Sequence, residues 1–118
     1  AIEDARQAYL QGALRERLAP FHADVDSAFW QWNDVWLSPA FRSYDIRQEI
    51  SAITAPLLAI QGEDDAYGTM AQIDEIAAVV PHARLLKLPA CGHSPHRDQP
   101  EAVGQAIADF LVSPARTA

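Results

Sequence analysis

Two short stretches of this sequence concentrate the side chains that can do chemistry. The first, Gln61-Gly62-Glu63-Asp64-Asp65-Ala66-Tyr67-Gly68, carries three consecutive acids. The second, Pro89-Ala90-Cys91-Gly92-His93-Ser94-Pro95-His96-Arg97-Asp98, carries two imidazoles and the lone cysteine. A carboxylate that meets an imidazole fixes its tautomer and stabilises the imidazolium formed when the histidine takes a proton. Together they form the base-plus-orienter half of a nucleophilic triad.

Each of these residues also has a plainer reading. His93 can instead cap local backbone. Asp65 can be one of several solvated loop acids, with Asp64 the second choice for a structured carboxylate. His93 and His96, joined by His82 or a carboxylate, invite a metal site. Loop residues three apart do not share a face as helical ones do, and no third ligand is clearly placed, so no metal is expected. His96 then reads as a hydrogen-bonding loop residue. Cys91 could act as a nucleophile two residues from His93, but neighbouring side chains in an extended loop diverge, and it reads better as a small, semi-buried thiol.

Both stretches follow short apolar runs. Leu57-Leu58-Ala59-Ile60, bounded by Pro56 and Gly62, has the unbroken apolar character of a parallel strand covered on both faces. Leu85-Leu86-Lys87-Leu88, stopped by Pro89, predicts a second strand. Between them Thr69-Met70-Ala71-Gln72 matches a capping box, and Met70, Ile73, Ala77 and Val80 supply the stripe of a helix ended by Pro81. Asp98-Gln99-Pro100-Glu101 opens a final helix with Val103, Ala106, Ile107, Phe110 and Leu111 on its buried face. A strand-helix-strand crossover is right-handed and leaves the strands parallel, so both loops emerge at one edge of the sheet, where open α/β proteins bind ligands.

The residues before Pro56 read as helical. Ile2, Ala5, Tyr9, Ala13 and Leu14 recur at helical spacing up to Pro20 and Phe21. Asp24 caps a second helix with the stripe Val25, Ala28, Phe29, Trp32 and Trp36, closed by Ser38-Pro39. Asp45 starts a third, short helix through Ile53. Six of the ten aromatics (Phe29, Trp30, Trp32, Trp36, Phe41 and Tyr44) fall between residues 29 and 44. Helix packing accounts for some of them. Trp30 lies off the stripe, so the helix has two apolar faces, and Trp30, Trp32 and Trp36 are candidates to contact an apolar substrate.

The 118 residues are 49% hydrophobic with a net charge of -7, which suits an ordinary folded domain and argues against disorder. Sixteen acids against nine basic residues, with Lys87 the only lysine, argue against nucleic acid as a partner. No apolar run approaches a membrane span and no export signal is evident, so a cytoplasmic chain with no membrane partner is expected.

The strand at Leu57–Ile60, Gly62-x-x-Asp65, the intervening helix, the strand at Leu85–Leu88, and Gly92-His93 before an amphipathic last helix resemble the carboxyl-terminal third of an α/β-hydrolase. The resemblance covers about residues 54 to 112. It implies an α/β fold in which three mainly helical cap segments (residues 1–53) precede a β-α-β-α unit with two parallel strands (54–112) and a tail (113–118). It places the family's acid on Asp65 and its histidine on His93, in a cofactor-free enzyme that attacks an ester, thioester or activated C–C bond.

The match has a gap. No Gly-x-Ser-x-Gly occurs, and Ser27, Ser38, Ser43, Ser51, Ser94 and Ser113 all lack the strand-turn-helix setting that exposes a nucleophile. The expectation is therefore a fragment cut at Ala1, inactive alone, whose unpaired strand edge self-associates or pairs with a missing amino-terminal part. The competing expectation is a non-catalytic binding module with a hydrolase-like half-fold.

Overall fold

A computed structural model describes residues 1–113, so all but Ser113 of the expected 113–118 tail lies outside the described residues. Contacts divide the chain into two units, one of Ala1–Tyr44 and one that begins at Asp45. Residues 45–53, grouped from the sequence with the cap, thus fall with the second unit.

The first unit is helical. The spacing that suggests one helix through Leu14 is split into α1 (Ile2–Leu10) and α2 (Ala13–Leu18). Gly12 sits between them at φ +96°, a left-handed conformation costly for other residues, and it turns the chain sharply. A 3₁₀ turn at Ala19–Phe21 leads towards α3 (Val25–Leu37), and a second one at Pro39–Ser43 follows it. Asp24 caps α3 as its position suggests, its Oδ1 accepting from the Ser27 N–H at 3.1 Å. Ser38 caps the following turn through Phe41 N–H.

The buried residues of α3 are Val25, Phe29 and Asn33, so the covered face is rotated from the expected stripe. Tyr9 stacks on Phe29 with ring centroids 3.8 Å apart, and Trp30 and Trp32 pack edge-on against the same pair or its phenylalanine. The Asn33 Nδ2 donates to the Ile2 carbonyl, which fixes the start of α1 beside α3. Trp36 lies nearly a turn past that point. It is half-exposed and tilts onto Phe41 instead.

The second unit contains α4 (Arg47–Ile50), β1 (Leu58–Gly62), α5 (Ala71–Val79), β2 (Arg84–Leu88), α6 (Pro95–Asp98) and α7 (Pro100–Val112). Asp45 accepts the Arg47 N–H, but α4 ends at Ile50 rather than reaching Ile53. The two strands are parallel, with Leu58 opposite Arg84 and Gly62 opposite Leu88, and they form the whole sheet among the described residues. Ile73 and Val80 of the crossover segment are almost fully buried, and Leu88, Cys91 and Val103 form the core beneath α7 with Ile60 and Leu86.

Two helix features depart from the sequence reading. No side chain caps α5, so the capping box is not formed; the Gln72 N–H bonds the Thr69 carbonyl, a backbone turn, instead. On α7 only Val103 is fully buried, while Ile107 and Leu111 are exposed, because two strands present too narrow a face to cover the full stripe. Among the described residues no helix is long and apolar enough to cross a membrane.

In the first unit Tyr9 Oη and the Arg15 guanidinium converge on Asp26, with Arg15 Nε 2.8 Å from Oδ1 and Nη2 2.9 Å from Oδ2. The hydrogen bonds from Arg15, then from Tyr9, hold the Asp26 carboxyl down to about 2. A carboxyl lowered on folding contributes stability above its unfolded value near 4, and that contribution is lost as pH falls through about 2. All three tryptophans lie in this unit, so their fluorescence reports its unfolding. Asp26→Asn is expected to lower the fluorescence-detected Tm at pH 6, with the difference from the wild type shrinking towards zero as pH approaches 2. An equal difference at both pH values would contradict this.

Candidate active site

Parallel pairing brings the carboxyl ends of β1 and β2 side by side, and the hydrogen bonding continues past the strands into both loops. The Glu63 N–H donates to the Leu88 carbonyl and the Asp64 N–H to the Cys91 carbonyl, each at 2.9 Å. This contact leaves no room at Gly62. A Cβ there would lie 2.2 and 2.3 Å from the carbonyl oxygens of Cys91 and Gly92, distances that real side chains do not tolerate. The glycine is required for close backbone approach.

Each loop is then held internally. In the first, the Asp65 N–H donates to the Gly62 carbonyl and the Tyr67 N–H to Asp65 Oδ1 at 2.8 Å, an Asx-type turn that orients the carboxylate. In the second, Ala90 takes a left-handed conformation at φ +51°. Gln99 Nε2 secures that turn on the carbonyls of Pro89 and Ala90, and Asp98 Oδ2 accepts the Gly92 N–H at 2.8 Å.

These constraints place His93 Nδ1 at 2.9 Å from Asp65 Oδ1 and 3.1 Å from Oδ2. The Asp65 side chain is 7% exposed and that of His93 60% exposed. Burial alone would push the Asp65 carboxyl up. The hydrogen bond from His93, the Tyr67 N–H, the histidine's charge and Gln61 outweigh it, and the carboxyl lies below its ordinary value. The Tyr67 ring packs 4.6 Å from the imidazole. A cavity of about 270 Å³ opens beside the pair, lined among others by Ile60, Gly62, Ile73, Ile76 and Pro95.

With Nδ1 on the carboxylate, Nε2 is the ring nitrogen left to exchange a proton with a bound group. Asp64, the alternative acid, is exposed and approaches the second loop through its backbone only.

The other candidates belong to other elements. Trp30, Trp32 and Trp36 belong to the first unit, the first two partly buried against Tyr9 and Phe29 or Phe29 alone. His82 Nε2 contacts the Ala55 carbonyl at the opposite end of the strands, and His96 is exposed on α6. Among the described residues no three His, Cys, Asp or Glu side chains cluster as metal ligands. Cys91 is buried, and burial followed by the charges of Asp98 and Asp64 pushes its thiol up, the opposite of what a thiolate nucleophile needs.

Sequence reasoning overlooked Gln61, Tyr67, Asp98 and Gln99, which hold the two loops in place. Gln61 did carry a signal, as the single polar side chain of an otherwise apolar strand.

An open parallel sheet with a histidine and a carboxylate meeting at its carboxyl edge is an arrangement found in α/β-hydrolases. The pattern of the Alpha/beta hydrolase family matches residues 2–106, and the chain belongs to that family.

Among curated proteins it is 35% identical over 57 residues to a pimeloyl-[acyl-carrier protein] methyl ester esterase of Nitrosomonas europaea, covering 48% of this chain and 23% of that protein. A protein of the same name from Aromatoleum aromaticum is 28% identical over 111 residues, covering 94% of this chain and 42% of that one. The chain thus spans less than half the length of either relative. Among solved structures, a serine hydrolase involved in carbazole degradation, the CarC enzyme, superposes with a TM-score of 0.66 at 18% identity, covering 86% of this chain and 40% of that one. At that identity the likeness is one of fold.

Gly62→Ala is expected to destabilise the second unit by roughly 1–3 kcal/mol, the usual cost of overpacking. Faster solvent exchange of the Glu63 and Asp64 amides should report it first. Unchanged exchange at both amides would contradict the close-approach account.

Proposed function

We propose that this chain supplies the acid and the histidine of a nucleophile-His-Asp hydrolase acting on an ester, thioester or activated C–C bond. The observation that carries the reading is the hydrogen bond between His93 Nδ1 and the buried Asp65 carboxylate across the ends of neighbouring parallel strands. Asp65 keeps the proton on Nδ1 and stabilises the imidazolium. His93 Nε2 removes the proton of a serine hydroxyl as it attacks the substrate carbonyl, returns it to the leaving group, and then activates water for release of the acyl group. Membership of the family and the naming of two relatives as methyl ester esterases support an ester as substrate.

The serine comes from outside residues 1–118, since none of the serines here sits in Gly-x-Ser-x-Gly. Residues 1–53 serve as the cap segment and its return to the sheet, with Trp30, Trp32 and Trp36 contacting the apolar part of a small substrate. The 118-residue chain alone is inactive, and the free edge of β1 takes up another strand, either from the missing part of the sheet or from a second copy. A cytoplasmic setting suits its single, buried, unpaired cysteine.

Three measurements test this. With short p-nitrophenyl esters the 118-residue chain should show no turnover above background; turnover that survives repurification and disappears in His93→Ala would contradict inactivity. Within a longer polypeptide that supplies the serine, Asp65→Asn should lower kcat by roughly 10⁴-fold and His93→Ala by roughly 10⁶-fold. An unchanged kcat in either variant would remove that residue from the mechanism. Light scattering at tens of micromolar should find dimers or larger species, and a clean monomer would contradict strand-edge pairing.

A further inference from the structure

A polar side chain on a core strand is costly unless its hydrogen bonds are made inside the protein. Gln61 is such a side chain, buried on β1 between Ile60 and Gly62. Its Nε2 lies 3.1 Å from the Gly68 carbonyl, 3.2 Å from the Thr69 carbonyl and 3.4 Å from Asp65 Oδ2. All three acceptors belong to the single loop that joins β1 to α5. One amide nitrogen on the rigid strand therefore reaches both the far end of the loop and the carboxylate in its middle.

The other oxygen of Asp65 is held as well. Oδ1 accepts the Tyr67 N–H, so each carboxylate oxygen has a donor from the loop or strand besides the imidazole. With both oxygens restrained, the carboxylate presents its edge to His93 Nδ1.

We propose that Gln61 is a positioning residue, which clamps the β1–α5 loop so that the Asp65 carboxylate faces the imidazole of His93. This rests on the reading of Asp65 and His93 as the working pair. Gln61 does not touch the histidine and acts only through the loop and the carboxylate. An apolar side chain of similar length would fill the space but leave the Gly68 carbonyl without its donor and the Thr69 carbonyl with the Gln72 N–H alone, and the loop would relax. The misplaced carboxylate would then no longer select the Nδ1–H form of the ring.

The test is long-range ¹H–¹⁵N spectroscopy of the histidine rings in the 118-residue chain, at a pH where the rings are neutral. His93 should show the Nδ1–H tautomer in the wild type. Asp65→Asn, whose amide can donate to Nδ1, should lose it. Gln61→Met should move His93 towards the Nε2–H form while the amide spectrum remains that of a folded chain. A folded Gln61→Met chain with the wild-type tautomer overturns the proposal for Gln61. An unchanged tautomer in Asp65→Asn overturns the pair itself, which is a separate failure.

If Gln61→Met does not fold, the unmodified chain decides. The Gln61 side-chain amide protons should exchange with solvent at least about tenfold more slowly than those of exposed glutamines such as Gln48. Equal rates would overturn the clamp.

Discussion

The close approach of two backbone segments at Gly62 is the constraint on which the candidate site depends. Because residue 62 has no side chain, the loop after β1 can lie directly on the loop after β2, and two further amides bond across the gap. Strand pairing thus extends beyond the strands. That extension sets where Asp65 and His93 leave the backbone. Local turns then refine their orientation. Asp65 and Tyr67 shape one loop, while Ala90, Asp98 and Gln99 shape the other.

The pair is asymmetric, and the asymmetry suits proton transfer. The carboxylate is almost wholly buried, where an ion persists only with donors around it, and it has them from His93, Tyr67 and Gln61. The imidazole is largely exposed, and Nε2 is the ring nitrogen not bonded to Asp65. Asp26 in the first unit makes an instructive contrast. It meets an aromatic hydroxyl and a guanidinium instead, it is half-exposed, and neither Tyr9 nor Arg15 titrates near neutral pH. Similar bonds therefore tie helices together in one place and hold an imidazole in the other.

Much of the second unit was legible in the sequence because its signals are local. Pro56 stands just ahead of β1, which runs on past Ile60 to include Gln61 and Gly62, Pro89 stops β2, and a crossover of that length makes the strands parallel. The acid was ambiguous among three neighbours. It is resolved by a turn, from the Asp65 N–H to the Gly62 carbonyl, that residue types alone do not specify. Less legible were features settled by tertiary contact. Periodicity carried the first helix through Gly12, where the backbone in fact turns over. The stripe of α3 predicted Trp36 rather than Asn33 on the covered face, because the position of α1 was unknown. Thr69 and Gln72 matched a capping box, yet the backbone made its own turn. The spacing of α7 counted Ile107 and Leu111 as buried, as a wider sheet would make them.

The account turns on whether Asp65 and His93 are bonded in solution, and carbon-13 titration of the Asp65 carboxyl measures this directly. In the wild-type chain the carboxyl should titrate below the ordinary aspartate range. In His93→Ala, with the partner gone and burial unchanged, it should move upward. A carboxyl that titrates at its ordinary value in the wild type and does not move in His93→Ala would contradict the pair, and with it the reading of this edge of the sheet as an active site.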